Sequence, residues 1–136
     1  MEFTCNNIQG AYAESIFITE CIKRKINIYQ PVLDNHGVDF LVKTDKYRSI
    51  QIKSTNKPDN RYKTRNSFKI TVCRGFDSRK YQSTDFDFCF VYIIPFDIWY
   101  AIPIDEIKVR TIRISIDSAS CKYSTYKNAW HLLKSA

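Results

Sequence analysis

The sequence predicts an α/β fold in which helices cover a mixed central β-sheet. Three observations lead to this prediction: apolar residues at helical spacing near the N-terminus, a succession of strand-like segments after them, and a shorter helical pattern at the C-terminus. The 136 residues and the hydrophobic content of 44% suit one globular core. We therefore expect residues 1–136 to form a single domain with a helix at each end.

The first helix is predicted over residues 8–25, where Ile8 and Tyr12 begin a stripe of apolar residues at helical spacing. Asn7 is the predicted N-cap, and the basic run at the other end suits the negative end of the helix dipole. Residues 118–135 are predicted to end in a short closing helix. One face of that helix would carry Tyr123, Tyr126, Ala129, Trp130 and Leu133.

Short runs rich in β-branched and aromatic residues predict the strands between the helices. These runs are residues 26–32, 38–44, 47–55, 67–73, 86–95, 99–104 and 109–116. Pro31 indicates an edge position for the first run. The tight turn "TDKY" joins the second and third runs into a hairpin. The run 86–95 is the most apolar and predicts a central strand.

Positive charge is concentrated in the middle of the chain. The net charge is +7, yet the segment from Lys43 to Lys80 alone contains twelve Lys and Arg against three Asp. Such a segment is typical of a protein with an anionic partner, most simply nucleic acid. A solubilising surface without a partner is the alternative.

Other classes of protein fit the sequence poorly. No apolar run approaches the roughly 20 residues needed to span a bilayer, and the N-terminus lacks the basic and apolar regions of a secretion signal. The five cysteines form no CxxC pair, so a zinc ribbon is not expected. We expect reduced, mostly buried thiols in a cytoplasmic protein that does not enter a membrane.

An Asp and a Lys lie inside apolar runs of the predicted hairpin, where strands seldom carry such residues. Asp39 belongs to "VDFLVKT", whereas Gln51 and Lys53 belong to "YRSIQIKST". Alternation along the second strand puts Gln51 and Lys53 on one face. A bend or bulge in the first strand is a way to bring Asp39 beside them.

This pattern favours hydrolysis of a phosphodiester bond. Negative charge develops on a phosphate that is already anionic, and a hard divalent cation held by oxygen ligands offsets it. Asp39 supplies a carboxylate and Gln51 an amide oxygen, while Lys53 is suited to orient or deprotonate water. Glu14, in the otherwise apolar "GAYAESIFI" of the first helix, is a second candidate carboxylate.

Taken in order, "AE" in the first helix, "GVDF" and "QIKS" resemble the motifs of the PD-(D/E)XK nuclease superfamily. That superfamily includes restriction enzymes, Holliday-junction resolvases and some group I intron homing endonucleases. The resemblance implies a restriction-endonuclease-like core and a catalytic site made of Glu14, Asp39, Gln51 and Lys53, with Mg²⁺ or Mn²⁺ as cofactor. It also implies that the backbone carbonyl of Ile52 faces the metal. Motifs carry the resemblance through residue 55, and the layout of later elements extends it to residue 133.

Two positions depart from the family pattern. Val38 replaces the motif proline, at a position that varies within the family. Gln51 replaces the motif Glu or Asp, and a neutral amide is expected to hold metal less tightly than a carboxylate. The structural alternatives are a turn-capping role for Asp39 and ordinary solvent-facing roles for Glu14, Gln51 and Lys53.

Two polar loops are predicted to contact nucleic acid. Residues 56–66 interleave basic side chains with an aromatic one, and residues 74–85 extend the basic surface. Basic side chains contact phosphates, and Arg also reads base edges. The predicted contacts are Lys57, Arg61, Tyr62, Lys63, Arg65, Arg74, Arg79 and Lys80.

These features predict a divalent-metal-dependent DNA endonuclease that hydrolyses phosphodiester bonds. Since one chain has one site, cutting both strands favours a homodimer or higher homo-oligomer. Two alternatives stay open. One is a catalytically weakened module of the same fold that binds nucleic acid, alone or within a larger complex. The other is an interaction domain whose basic loops meet an acidic protein.

Overall fold

The computed structural model describes residues 2–33, 37–59, 66–74, 79–80 and 85–134. The fold begins with the helix α1 (Asn6–Lys23), which confirms the predicted N-terminal helix. Cys5, not Asn7, occupies its N-cap position, so the helix starts two residues earlier than predicted. Neither α1 nor any other helix in the described residues is long and apolar enough to cross a membrane.

Each predicted strand segment overlaps an observed strand. The strands in the described residues are β1 (Asn27–Tyr29), β2 (Phe40–Lys43), β3 (Tyr47–Thr55), β4 (Ser67–Thr71), β5 (Cys73–Arg74), β6 (Arg79–Lys80), β7 (Phe88–Ile93), β8 (Ile98–Pro103) and β9 (Thr111–Ser115). β3 has the predicted bounds, and β6 has no predicted counterpart.

Within the described residues, the main sheet has the strand order β1-β2-β3-β7-β8. β3 and β7 run parallel, whereas the other neighbours are antiparallel, so the sheet is mixed as predicted. β1 lies at one edge, in agreement with the indication from Pro31. β4 and β9 form a separate antiparallel pair, and β5 pairs with β6.

The main sheet is covered on both faces, which explains the continuous apolar run of β7. On one face, Phe90 of β7 packs edge-on against Phe17 of α1, with 5.1 Å between ring centroids. On the other face, Val91 belongs to a second buried cluster with Ile112 of β9. All six residues of β7 are buried as a result. We call these two sides of the main sheet the α1 face and the β9 face.

The predicted C-terminal helix is not confirmed as an α-helix. Two short 3₁₀ turns, Ser124–Tyr126 and Trp130–Lys134, occupy this region. Between them Lys127 forms a β-bridge to β8, and the N–H of Asn128 (φ 52°) donates to the carbonyl of Trp99 at 2.6 Å. The chain is thereby tied to the edge of the sheet. The five residues of the last turn are too few to sustain an isolated α-helix.

The four cysteines whose side chains the structure describes are free thiols. Cys21 and Cys89 are buried, Cys121 is half-buried and Cys5 is exposed.

Candidate active site

Asp39 directly precedes β2, where the β2–β3 ladder ends next to Gln51. The register pairs Phe40 with Ile50, and the N–H of Asp39 donates to the carbonyl of the same Ile50. Two successive residues of the first strand thus lie against one residue of β3, in agreement with the bend or bulge expected from the sequence. The hairpin turn that precedes β3 therefore sets the geometry of the site, because it fixes the register.

The Asp39 side chain is anchored to the backbone of β3. Its carboxylate oxygen Oδ2 accepts a hydrogen bond from the N–H of Ile52 at 2.7 Å. The N–H of Asp39 in turn donates to the carbonyl of Ile50 at 2.8 Å. At this edge of β3 the Asp39 carboxylate accepts the hydrogen bond that a neighbouring strand would otherwise accept. These two hydrogen bonds fix the orientation of Asp39 in the absence of a ligand.

The side chain of Gln51 is buried, with 9% of its surface exposed. Its Nε2 donates to the backbone carbonyl of Ile52 at 3.3 Å, whereas its Oε1 is buried and has no hydrogen-bond partner in the described part of the chain. Gly37 has φ of +73°, and a β-carbon there would lie 3.3 Å from that Oε1. An unsatisfied buried acceptor destabilises a fold, and this oxygen is free to accept a hydrogen bond or to coordinate a cation.

Lys53 follows Gln51 by two positions and lies on the same β9 face, half-buried. Its charge acts on Cys89, the residue that pairs with Gln51 across the β3–β7 ladder. Burial raises the pKa of the Cys89 thiol to about 12, while the Lys53 charge opposes this rise and the Asp39 charge adds to it. Lys53 and Asp39 are therefore both within electrostatic reach of one buried thiol.

Glu14 approaches Asp39 from the α1 face of the sheet. The two carboxylates line one small pocket of about 130 Å³, together with Gln30, Pro31 and Val38. Glu14 itself is half-buried on α1. Two carboxylates from different elements thus line the same pocket.

The oxygen atoms at this point fit a hard divalent cation better than a transition metal with nitrogen or sulfur ligands. They are the carboxylates of Glu14 and Asp39, the amide oxygen of Gln51 and the carbonyl of Ile52. Among the described residues no group of three or more His, Cys, Asp or Glu side chains could hold a metal ion. The fit therefore depends on the neutral oxygens, and the unpartnered Oε1 of Gln51 is the observation that supports it.

Of the predicted nucleic-acid contacts, Lys57 is exposed and lines a cavity beside the end of β3. Arg61, Tyr62, Lys63 and Arg65 lie outside the described residues. Arg74, Arg79 and Lys80 fall in the backbone of β5 and β6, and their side chains also lie outside what the structure describes. Only the position of Lys57 can therefore be compared with the prediction.

Gln9 and Lys69 were missed by the sequence reasoning, although both line a cavity that also contains Lys53. Gln9 is a polar residue on the first turns of a largely apolar helix, and Lys69 occupies an outward position of an alternating strand. These patterns mark both residues as surface residues. Their approach to Lys53 follows from the sheet topology, which the patterns do not reveal.

Comparisons with known proteins show the family and the fold of the chain. The family model described as PD-(D/E)XK endonuclease matches residues 6–133. The chain therefore belongs to the PD-(D/E)XK endonuclease family. Among solved structures, that of a bacterial homing endonuclease, I-Ssp6803I, is similar in fold, with a TM-score of 0.76 and 18% identity over 96% of this chain and 92% of that one. No curated protein matches the chain.

Proposed function

We propose that the protein is a divalent-metal-dependent endonuclease that hydrolyses phosphodiester bonds in DNA. The observation that carries this proposal is the buried Oε1 of Gln51, which has no hydrogen-bond partner in the described residues. Gln51 lies between Ile50 and Ile52, the two residues of β3 to which Asp39 is hydrogen-bonded. Membership of the endonuclease family supports the class of reaction. The fold shared with a homing endonuclease and the basic segment of the chain support DNA as the substrate.

Glu14, Asp39, Gln51 and the carbonyl of Ile52 would hold Mg²⁺ or Mn²⁺. When bound, such an ion offsets the negative charge that develops on the phosphate. The hydrogen bond from Ile52 orients the Asp39 carboxylate beforehand. Preorganisation of this kind reduces the entropy lost on binding.

Lys53 would act on the attacking water and on the phosphate. A protonated Nζ donates hydrogen bonds, so it can position the water and stabilise charge on a phosphate oxygen. A deprotonated Nζ can instead accept the proton of the water. Both roles require Lys53 on the same side of the sheet as the metal ligand Gln51, and alternation along β3 supports this arrangement.

We further propose that residues 1–136 act as one domain with one site, and that two or more copies cut the two strands of a duplex. The free thiols of the described cysteines are typical of a reducing compartment such as the cytoplasm.

The proposal is tested by incubating the protein with supercoiled plasmid and with branched DNA, in Mg²⁺, in Mn²⁺ and in EDTA. We expect nicking or linearisation that needs the divalent ion. Lys53→Ala should abolish this cleavage, because it removes the amine that would act on the attacking water. The truncation leaves the β3 backbone intact. Lys46→Ala is the matched control, because Lys46 is an exposed lysine in the turn at the far end of β3.

A weakened nuclease module that only binds nucleic acid is the second candidate, favoured by the neutral Gln51 and by the lack of a third carboxylate among the described residues. It predicts salt-sensitive binding of DNA without cleavage and without uptake of Mn²⁺ in calorimetry. Failure both to bind and to cleave DNA would leave an acidic-protein partner, or a solubilising surface without a partner, as the explanation of the basic segment.

A further inference from the structure

The last residues of β3 have a strand on one side only. β2 pairs with β3 from Lys43–Tyr47 to Phe40–Ile50, whereas β7 pairs with β3 from Ile50 to Thr55. At the edge that β2 leaves open, the carboxylate of Asp39 accepts a hydrogen bond from the N–H of Ile52. Alternate residues of a strand direct their backbone groups to the same edge, so those of Ser54 also face this opening.

A cleft of about 450 Å³ lies over this open edge of β3. Its floor is formed by Ile52, Lys53 and Ser54, one wall by the first turns of α1, and the other wall by β4. A second cavity of similar size shares Gln9 and Ser54 with the first and continues past the end of β3 to Lys57. We call the two together the α1–β4 cleft.

The α1 wall is fixed to the floor by a side-chain hydrogen bond. Nε2 of Gln9 donates to Oγ of Ser54 at 3.1 Å, and Ser54 directly follows Lys53. Asn6, one turn before Gln9 on α1, lines both cavities. The N-terminal end of α1 is therefore held beside the residue to which we assign the water-positioning role.

The lining of the α1–β4 cleft matches an extended anion that accepts hydrogen bonds. The lining contains three lysines, Lys53, Lys57 and Lys69, and one residue with a carboxylate, Glu2. Amides and hydroxyls make up most of the remainder, and few apolar side chains are present. A small apolar ligand is thus a poor match, whereas a sugar–phosphate backbone supplies both the negative charge and the acceptors.

We propose that the α1–β4 cleft binds the backbone of the DNA strand being cut, on one side of the scissile phosphate, with Lys57 and Lys69 contacting phosphates. Asn6 supplies an amide donor from the α1 wall. This inference rests on the proposed function and adds the path that the strand takes away from Lys53. It assigns Lys69, Asn6 and Gln9 to substrate binding in addition to Lys57.

The inference makes a quantitative prediction about salt. Each phosphate contact contributes about 0.9 to the slope of log affinity against log salt for duplex DNA. The double variant Lys57→Ala/Lys69→Ala should lower that slope by roughly two and weaken binding at low salt by about tenfold or more.

The test combines fluorescence anisotropy on a labelled duplex without divalent ions, over a series of NaCl concentrations, with cleavage rates in Mg²⁺. Lys46→Ala serves as the control, since β3 separates Lys46 from Ser54 by about 25 Å. Both substituted lysines are exposed, so folding is retained and is checked by circular dichroism.

Each outcome separates this inference from the proposed function. If the wild type cleaves DNA and the double variant keeps the wild-type affinity and salt slope, the cleft does not bind the strand and the inference fails alone. A lower saturated rate at unchanged affinity also overturns it, because the lysines would then act in the chemistry. If the wild type neither binds nor cleaves DNA, the proposed function fails first. Lysine-dependent binding of polyglutamate with no binding of DNA would assign the cleft to an acidic protein.

Discussion

The carboxylate of Asp39 accepts the backbone N–H of Ile52 at 2.7 Å, where the ladder between β2 and β3 ends. Through this hydrogen bond Asp39 has a structural function in addition to its proposed catalytic one. The hydrogen bond satisfies a strand N–H that no neighbouring strand reaches, and it holds the acid against the residue of β3 that follows Gln51. The edge that exposes Ile52 to Asp39 is also the edge along which the α1–β4 cleft opens.

The two functions of Asp39 can be separated by substitution. Asp39→Asn keeps an oxygen acceptor for Ile52 but removes the charge, so it should retain most of the stability and lose cleavage by a factor on the order of a hundred or more. Asp39→Ala removes both, and we expect an additional loss of about 1–3 kcal/mol in the free energy of unfolding. Urea denaturation and plasmid cleavage are the measurements. Equal stabilities of the two variants would contradict the structural part of this account.

Gly37 should not tolerate a side chain, in contrast to Gly10. Gly37→Ala places a residue at a φ of +73° and a β-carbon 3.3 Å from Oε1 of Gln51. It should cost about 1–2 kcal/mol in stability and displace the Gln51 amide, with a loss of Mn²⁺ affinity. Gly10→Ala is the matched control, because Gly10 lies inside α1 with no atom within 4 Å of the added carbon. That variant should gain up to about 1 kcal/mol. Thermal denaturation and Mn²⁺ calorimetry measure both effects, and equal behaviour of the two variants would refute the prediction.

Restoring the acidic residue of the family motif should strengthen metal binding. Gln51→Glu adds a negative charge beside Asp39, so the affinity for Mn²⁺ should rise on the order of tenfold. Without metal, the two neighbouring carboxylates repel each other, and the melting temperature in EDTA should fall below that of the wild type. Gln51→Met, which keeps a similar volume without an oxygen ligand, should lose Mn²⁺ binding. If Gln51→Met binds Mn²⁺ as well as the wild type does, Oε1 is not a ligand.

The buried thiols should make the fold sensitive to alkaline pH. Burial raises the pKa of Cys21 and of Cys89 from the ordinary value of 9.0 to about 12. The unfolded chain therefore releases these protons first, so the stabilisation is complete below about pH 9 and is lost as the pH rises toward 12. Each thiol should contribute roughly 1 kcal/mol per pH unit to the decline.

Urea denaturation at increasing pH measures this decline in the free energy of unfolding. Cys89→Ala should make it shallower, and so should Cys21→Ala, because both thiols are buried. A decline that is equally steep in the wild type and in Cys89→Ala would show that the Cys89 thiol does not titrate differently in the folded and unfolded chains.

The hairpin at the centre of the site was predictable because its signals are local. The turn between β2 and β3 sets the register, and strand alternation then puts Gln51 and Lys53 on one face. The apolar run of β7 likewise predicted a strand buried on both sides. α1 was predicted from its helical periodicity, although its first turn carries no sequence signal strong enough to give its start.

The remaining features depend on contacts between distant segments. β4 pairs with β9 outside the main sheet, and no local pattern distinguishes that pairing from an added strand of the sheet. The C-terminal segment has a helical apolar pattern, yet the bridge of Lys127 to β8 and the hydrogen bond of Asn128 to Trp99 divide it into short turns. The convergence of Gln9 and Lys69 on Lys53 likewise requires three elements to be in place.

The central claim is that Glu14, Asp39, Gln51 and the carbonyl of Ile52 hold a divalent cation. Diffraction from crystals soaked in Mn²⁺, recorded where manganese scatters anomalously, tests it most directly. The account predicts an anomalous peak bonded to the Asp39 carboxylate and to Oε1 of Gln51, and its loss in crystals of Asp39→Asn. A peak bonded to other residues, or no peak at this position in a protein that cleaves DNA in Mn²⁺, would contradict the account.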